Sequence, residues 1–233
     1  MAAALAGCAT APPAAGISDP YEAQNRGAHA FNVGLDKAIV RPTATAYGTV
    51  VPGPVRTGVS NFASNLGEPG DFVNHVLQGQ IEKAGQTFFR FAINSTLGIA
   101  GLFDPATSIG LPAARTDFGQ TLHAWGVPEG AYLEVPVIGP STERDFAGTV
   151  VDVLMNPTSM VLKGDEASTA RGARIAARLG DRYRYSDLVD SILYESADSY
   201  AQARLLYLQN RRFQLGQQDE SNAYDPYEDP DLR

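Results

Sequence analysis

Residues 98 to 140, GIAGLFDPATSIGLPAARTDFGQTLHAWGVPEGAYLEVPVIGP, divide this chain into two helix-patterned halves. Glycine and proline recur throughout the block, and both are costly inside a helix, so no continuous helix crosses it. The fold therefore has to be assembled from helices on either side of a long irregular connection. Connections of this length are either functional or disordered. Phe103, Phe118, Trp125, Tyr132 and Val137 make this one too apolar for disorder, so an ordered functional loop is expected. AYLEVPV is expected to pair briefly as a strand, although Pro136 argues against a central one.

On the N-terminal side, Asp19 can cap a helix, Pro20 suits its first position and Glu22 completes a capping box. Tyr21, Ala28, Phe31, Leu35 and Ile39 then share one face. Asp19, Glu22 and Asp36 read as caps and helix-surface charges, and Arg26 as the i,i+4 partner of Glu22. Val55, Val59, Phe62 and Leu66 form the stripe of a second helix, closed by Gly67 and Pro69. From Asp71 through Leu97 the pattern is helical again, interrupted near Gly79, and Phe88, Phe89, Phe91 and Ile93 spread over more than one stripe. A helix apolar nearly all round is buried in a core or touches lipid, and a core is the first expectation. On the C-terminal side, STERDFAGTVVDVLMNP predicts a helix ending at Asn156. The segment from Ser186 to Leu215 predicts one long helix with Leu188, Ile192, Tyr200 and Leu208 on its apolar face. Arg211 and Arg212 stand at its C-terminal end, where the helix dipole favours cations. The fold class is mainly α.

The 233 residues carry a formal charge of −8. Six acids against the single Arg233 in residues 217 to 233 supply −5 of it, leaving a nearly neutral body. Nothing here offers the basic footprint that a nucleic acid requires. No apolar run approaches the roughly 18 residues of a transmembrane helix. The only cysteine, Cys8, follows Leu-Ala-Gly, the pattern of a bacterial lipobox, where a signal peptidase cuts before a cysteine that is then acylated. MAAA is too short to be the rest of a signal peptide, so the true start codon is expected upstream. The alternative is a free thiol in a chance alanine-rich terminus. Several acyl chains on Cys8 would anchor the protein firmly, with ATAPPAAGIS as a flexible tether.

Catalytic constellations are lacking. His29, His75 and His123 lie far apart and in no metal-ligand spacing. GVSNF and GPSTE each miss the last glycine of a serine-hydrolase elbow, and no nucleotide-binding glycine pattern occurs. No cofactor is implied, and an enzyme is not expected. What remains is a helical body with surplus phenylalanine, an apolar Gly/Pro-rich loop and an apparent lipid anchor. That combination points to handling of an amphiphile, which needs a path where neither end meets the wrong solvent.

Five blocks are specific enough to compare with known families: DPYEAQNRGAHAFN with Asp36 just after; SNFASNLGEP followed by VNHVLQG; RFAINSTLGIAGLFDPA; FGQTLHAWGVPEGAYLEVPVIGPSTERD; and DSYAQARLLYLQNRR. Through them the chain resembles the MlaA (VacJ) family of outer-membrane lipoproteins from Asp19 to about Phe213. The resemblance implies a ring-like helical bundle in the inner leaflet of the outer membrane, on its periplasmic face, around an amphipathic central channel. It also implies association with a trimeric outer-membrane porin and transfer of mislocalised phospholipids to the periplasmic lipid carrier MlaC, with no bond broken. A non-conducting envelope scaffold that binds porins is the alternative.

The expected domains are a truncated lipoprotein signal and tether (1–18), the helical domain (19–216) and an acidic disordered tail (217–233). By the resemblance, Cys8 is the lipid anchor, and Phe31 and Asn32 lie near a region that gates lipid passage. Gly119, Leu122, Trp125, Gly126, Gly130 and Tyr132 belong to the channel-associated loop. The glycines would let its backbone bend where bulk is excluded, and Trp125 and Tyr132 would sit at a lipid-water boundary. Equally open is that these residues only pack the ring. His123 stands where the family commonly has glycine, and Ala131 where it has proline. If His123 faces the path, its protonation makes passage pH-sensitive.

Overall fold

The computed structural model describes residues 17–217. Cys8 and most of the acidic tail lie outside the described residues. The described residues are mainly helical, with one two-stranded hairpin among them.

Helix α1 (Glu22–Leu35) runs through a π-helical turn (Asp36–Val40) into α2 (Arg41–Val50). The π turn has a local cause. Pro42 lacks an N–H and its ring crowds the carbonyl four residues back, and the Arg41 amide bonds instead to the carbonyl of Asp36, five residues back. Asp19 does not cap α1, whose start carries no side-chain cap. Its carboxylate accepts from Asn25 at 2.8 Å, and from Tyr200 and Arg204 on the last helix. Arg26 does pair with Glu22, at 2.8 Å.

Next come α3 (Gly53–Asn65), α4 (Glu68–Leu77) and α5 (Ile81–Thr96). Pro69 opens α4 rather than closing α3, because a first-turn proline gives up a donor that had no partner anyway. Gly79, at φ 71°, makes the left-handed turn between α4 and α5.

The block from 98 to 140 is more regular than a loop. Asp104 caps α6 (Pro105–Ser108) and Asp117 caps α7 (Phe118–Ala124), each accepting a backbone amide three residues on. Strand β1 (Tyr132–Val135) pairs antiparallel with β2 (Gly139–Thr142), Tyr132 opposite Thr142 and Val135 opposite Gly139. Thr142 then caps α8 (Glu143–Met155), followed by α9 (Pro157–Val161) and α10 (Gly164–Arg184). The long helix expected from Ser186 is broken. It becomes α11 (Ser186–Asp190), a second π turn (Ser191–Glu195) and α12 (Ser199–Gln214), because Ser196 turns extended and the Asp198 side chain caps a fresh start.

Burial is inverted relative to an ordinary soluble domain. Among the described residues, eight buried residues are apolar, five of them alanine, against sixteen polar or charged. Tyr132, Tyr200 and Leu208 form an aromatic-aliphatic core, with Ile17 and Tyr207 packed against it. Elsewhere helices meet through small residues: a Cβ on Gly48 of α2 would lie 2.1 Å from the ring of Tyr183 on α10. Large apolar side chains are outside, including Ile81, Leu97, Phe103 and Ile109. Phe88 and Phe89 are 53% and 57% exposed, so the core expected around them does not form. Their helix directs Arg90 and Asn94 inward instead, onto Glu68 and Asp104.

Candidate functional site

The hairpin is clamped to α1 by two asparagines. Asn25 is buried and bonds the β1 backbone twice, donating to the Tyr132 carbonyl at 3.0 Å and accepting the Glu134 amide at 2.9 Å. Asn32, two helical turns on, donates to Glu134 Oε1 and the Val135 carbonyl, both at 3.1 Å. Its Oδ1 accepts the Val137 amide at 2.7 Å. Val137 sits at φ 70°, a left-handed conformation that a β-branched residue rarely adopts. Strain of this kind persists where surrounding bonds over-determine the backbone, and Asn32 supplies such a bond. The tip it holds is apolar and outward, with Val137 and Ile138 both exposed. Phe31, beside Asn32 on α1, is 54% exposed.

Glu134 is the polar centre beneath this hairpin. It is buried, receives the Tyr132 hydroxyl at 2.5 Å, and lies 3.5 Å from His29 Nδ1. Burial first, then the hydrogen bond to Glu134, pushes the Tyr132 phenol well above its usual range. Tyr132 is therefore a core residue and not at a lipid-water boundary, because its hydroxyl has a carboxylate partner inside the fold.

Helix α7 is locked by a second network. Arg211 of α12 binds Asp117 through two bonds of 2.7 Å and Asp145 of α8 through two of 3.0 Å. Tyr207 adds a 2.8 Å bond to Asp145. Burial alone would raise the Asp145 carboxyl, but the Arg211 guanidinium and the Tyr207 hydroxyl outweigh it and hold it below the ordinary carboxylate range. Arg211 and Arg212 thus do more than complement a helix dipole, and Arg212 also reaches Glu129 at 3.0 Å. Gly119 fits inside this cluster for want of space: a Cβ there would lie 2.6 Å from Arg211 Nη2 and 2.8 Å from Asp145 Oδ1.

The other loop residues divide. Leu122 is half-buried on α7. Trp125 ends that helix exposed, its Nε1 donating to the Leu77 carbonyl at 3.1 Å and its ring edge-on to Phe118. Gly126 and Gly130 have φ of 84° and 75°. At Gly130 a side chain would also meet Glu143, whereas Gly126 faces open space. His123 is half-buried, and burial together with the Arg144 and Arg211 charges lowers its pKa below 6.5. The structure thus joins Phe31, Asn32 and Tyr132 in a hairpin group and Gly119, Leu122 and Trp125 in an α7 group.

Beside α7, Asp71, Asn74, Thr116, Phe118, Asp152 and Pro157 line a cavity of about 140 Å³. Burial pushes the Asp71 carboxyl up to about 7. Burial also raises Asp152, against the Phe118 amide at 2.9 Å and Asn74 at 3.0 Å, which favour its ionised form. Among the described residues no three His, Cys, Asp or Glu side chains are placed to hold a metal ion.

The residues that sequence reading does not single out are Asn25, Asp117, Glu134 and Asp145. Only Asp117 has a local signal, as an N-cap before Phe118. The others are identified by partners up to about a hundred residues away.

The sequence profile described as MlaA lipoprotein matches residues 17–214. An uncharacterized protein of Rickettsia felis is 38% identical over 189 residues, covering 81% of this chain and 74% of that one. The intermembrane phospholipid transport system lipoprotein MlaA of Escherichia coli K12 is 36% identical over 231 residues, covering 94% of this chain and 89% of that protein. A solved structure described as the structural basis for maintenance of bacterial outer membrane lipid asymmetry superposes with a TM-score of 0.71 at 34% identity. It covers 85% of this chain and 99% of its own.

Proposed function

The chain belongs to the MlaA lipoprotein family, and from that premise we propose that it maintains outer-membrane lipid asymmetry by taking mislocalised phospholipid from the outer leaflet and passing it to a periplasmic carrier. The family is one of transport lipoproteins and not of enzymes. In this reading the helices surround an amphipathic path, the body lies in the inner leaflet beside a trimeric porin, and Cys8 carries the anchor.

The observation that carries the proposal is the inversion of burial. A body immersed in acyl chains needs an apolar outside and satisfied polar groups within, since an unpaired polar group in hydrocarbon costs several kcal/mol. Exposed Phe88, Phe89, Phe103 and Ile109 meet the first need, and the Arg90 and Arg211 networks meet the second. Among the described residues no helix is long and apolar enough to cross a membrane, which suits a body confined to one leaflet. Phe31 and the hairpin tip held by Asn32 form the gate in this reading, and Trp125 is an exposed apolar side chain of the separate α7 group.

The test is outer-leaflet phospholipid in a strain lacking the gene. A rise that is reversed by restoring the gene from its upstream start supports the proposal. No rise, together with purified protein free of phospholipid, would favour a porin-binding scaffold that conducts nothing.

A further inference from the structure

Arg90, Arg182 and Arg211 each bridge two carboxylates. Among the described residues Arg56 on α3 and Arg184 on α10 meet no carboxylate, and both line one cavity of about 270 Å³ between those helices. Thr57, Ser60, Asp181 and Tyr183 complete its polar wall. The Arg56 guanidinium lies over the Tyr183 ring at 4.9 Å, which fixes its plane. Its Nε is buried without a hydrogen-bond partner. The nearby Tyr47 hydroxyl is orphaned in the same way, and that ring approaches Gly180 on the cavity wall. A buried donor left unpaired is destabilising, and this one belongs to a side chain that lines the cavity. Asp181 stands three residues before Arg184, close enough on a helix to pair with it, yet makes no such bond.

We propose that this cavity binds the zwitterionic headgroup of a phospholipid, its phosphodiester held by Arg56 and Arg184 and its ammonium by Asp181. Two guanidiniums match a phosphate's oxygens through their forked donors, and the Thr57 and Ser60 hydroxyls add two more. The carboxylate would repel a purely anionic headgroup, so the site prefers phosphoethanolamine to phosphoglycerol. The volume lies below the roughly 300–1,000 Å³ of a drug-sized pocket, which admits a headgroup and leaves the acyl chains outside. This assignment rests on the lipid-conducting reading and names the headgroup chemistry within it.

The experiment uses the full chain in detergent and four probes: dihexanoyl phosphatidylethanolamine, dihexanoyl phosphatidylglycerol, glycerophosphoethanolamine and inorganic phosphate. Arg56→Gln/Arg184→Gln is expected to weaken binding of the phosphatidylethanolamine at least about tenfold. Asp181→Asn should erase its advantage over the phosphatidylglycerol. Arg56→Lys/Arg184→Lys should restore only part of the affinity, since lysine keeps the charge and loses the fork. If the glutamine pair does not fold, the exposed Arg184→Gln alone must still cost about threefold. Unchanged affinity in these variants overturns the site, and so does inorganic phosphate binding as tightly as the lipid, which would make it a free-anion site. Phospholipid co-purifying with the wild-type protein is measured separately. Its absence defeats the lipid-conducting reading, while its presence with unaltered affinity in the variants defeats this site alone.

Discussion

Asn32 holds Val137 in a left-handed backbone conformation, accepting its amide at 2.7 Å while Val137 sits at φ 70°. The Val137 side chain is 72% exposed and contributes little packing, so the strain is not offset by burial. Val137→Asn, which tolerates that conformation, is expected to raise stability by about 1 kcal/mol. Asn32→Ala should lower it by about 1–3 kcal/mol and speed amide exchange at Val137, because it strips three hydrogen bonds from the hairpin. Denaturant midpoints and amide exchange check both.

Helices α7 and α8 touch at two glycines. A Cβ on Gly148 would lie 2.3 Å from the backbone nitrogen of Gly119, too close for any relaxation short of moving the helices. Gly148→Ala should therefore cost about 1–3 kcal/mol. Gly126→Ala meets no neighbour and should cost only the strain of its positive φ. Thermal denaturation of the two variants side by side separates crowding from backbone strain.

Arg211 neutralises Asp117 and Asp145 together. Arg211→Ala leaves both carboxylates beside an empty volume and should destabilise by about 3–5 kcal/mol. Arg211→Lys should recover only part, since lysine cannot reproduce the four bonds. Asp145 is held below its unfolded value of 3.8, so its contribution is present above that pH and is lost as pH falls through the lower folded value. Acid titration of the unfolding free energy should show that limb in the wild type and lose it in Arg211→Ala.

Asp71 has the opposite sign. Its carboxyl titrates near 7 in the fold and at 3.8 when unfolded, so the folded state holds the extra proton between those values. Stability then falls as pH rises from about 4 through 7. Asp71→Asn keeps an acceptor for the Thr116 amide, bonded at 3.2 Å. It should gain on the order of 2 kcal/mol at pH 8 and nothing near pH 3. Equal melting shifts at both pH values would rule out the buried acid as the cause.

Phe31 offers the cleanest separation of function from folding. At 54% exposure, Phe31→Gln should change stability by no more than about 0.5 kcal/mol. It should alter phospholipid passage if Phe31 belongs to the gate. Unchanged surface phospholipid in a folded Phe31→Gln strain would remove it from that role.

Local sequence was enough for α1, α3, α4, α5 and α8, the glycine break at Gly79, the end of α8 at Asn156 and the brief strand in AYLEVPV, because periodicity, caps and turn residues act over a few positions. By contrast, α6 and α7 fall in a stretch that reads as irregular, and α10 has no counterpart in the sequence reading. The five family blocks also pointed to the family that the profile and the relatives bear out. Tertiary structure alone decided which solvent each apolar face meets. Periodicity marks a stripe without saying whether protein, water or lipid lies against it, so Phe88 and Phe89 read as core and stand outside. It also decided the charge partners. Asp36 reads as a helix-surface acid, yet it takes two bonds from Arg182, 146 residues away, and one from Tyr194. No local spacing encodes a pair that exists only once distant helices have packed, and in this protein such pairs fill the interior.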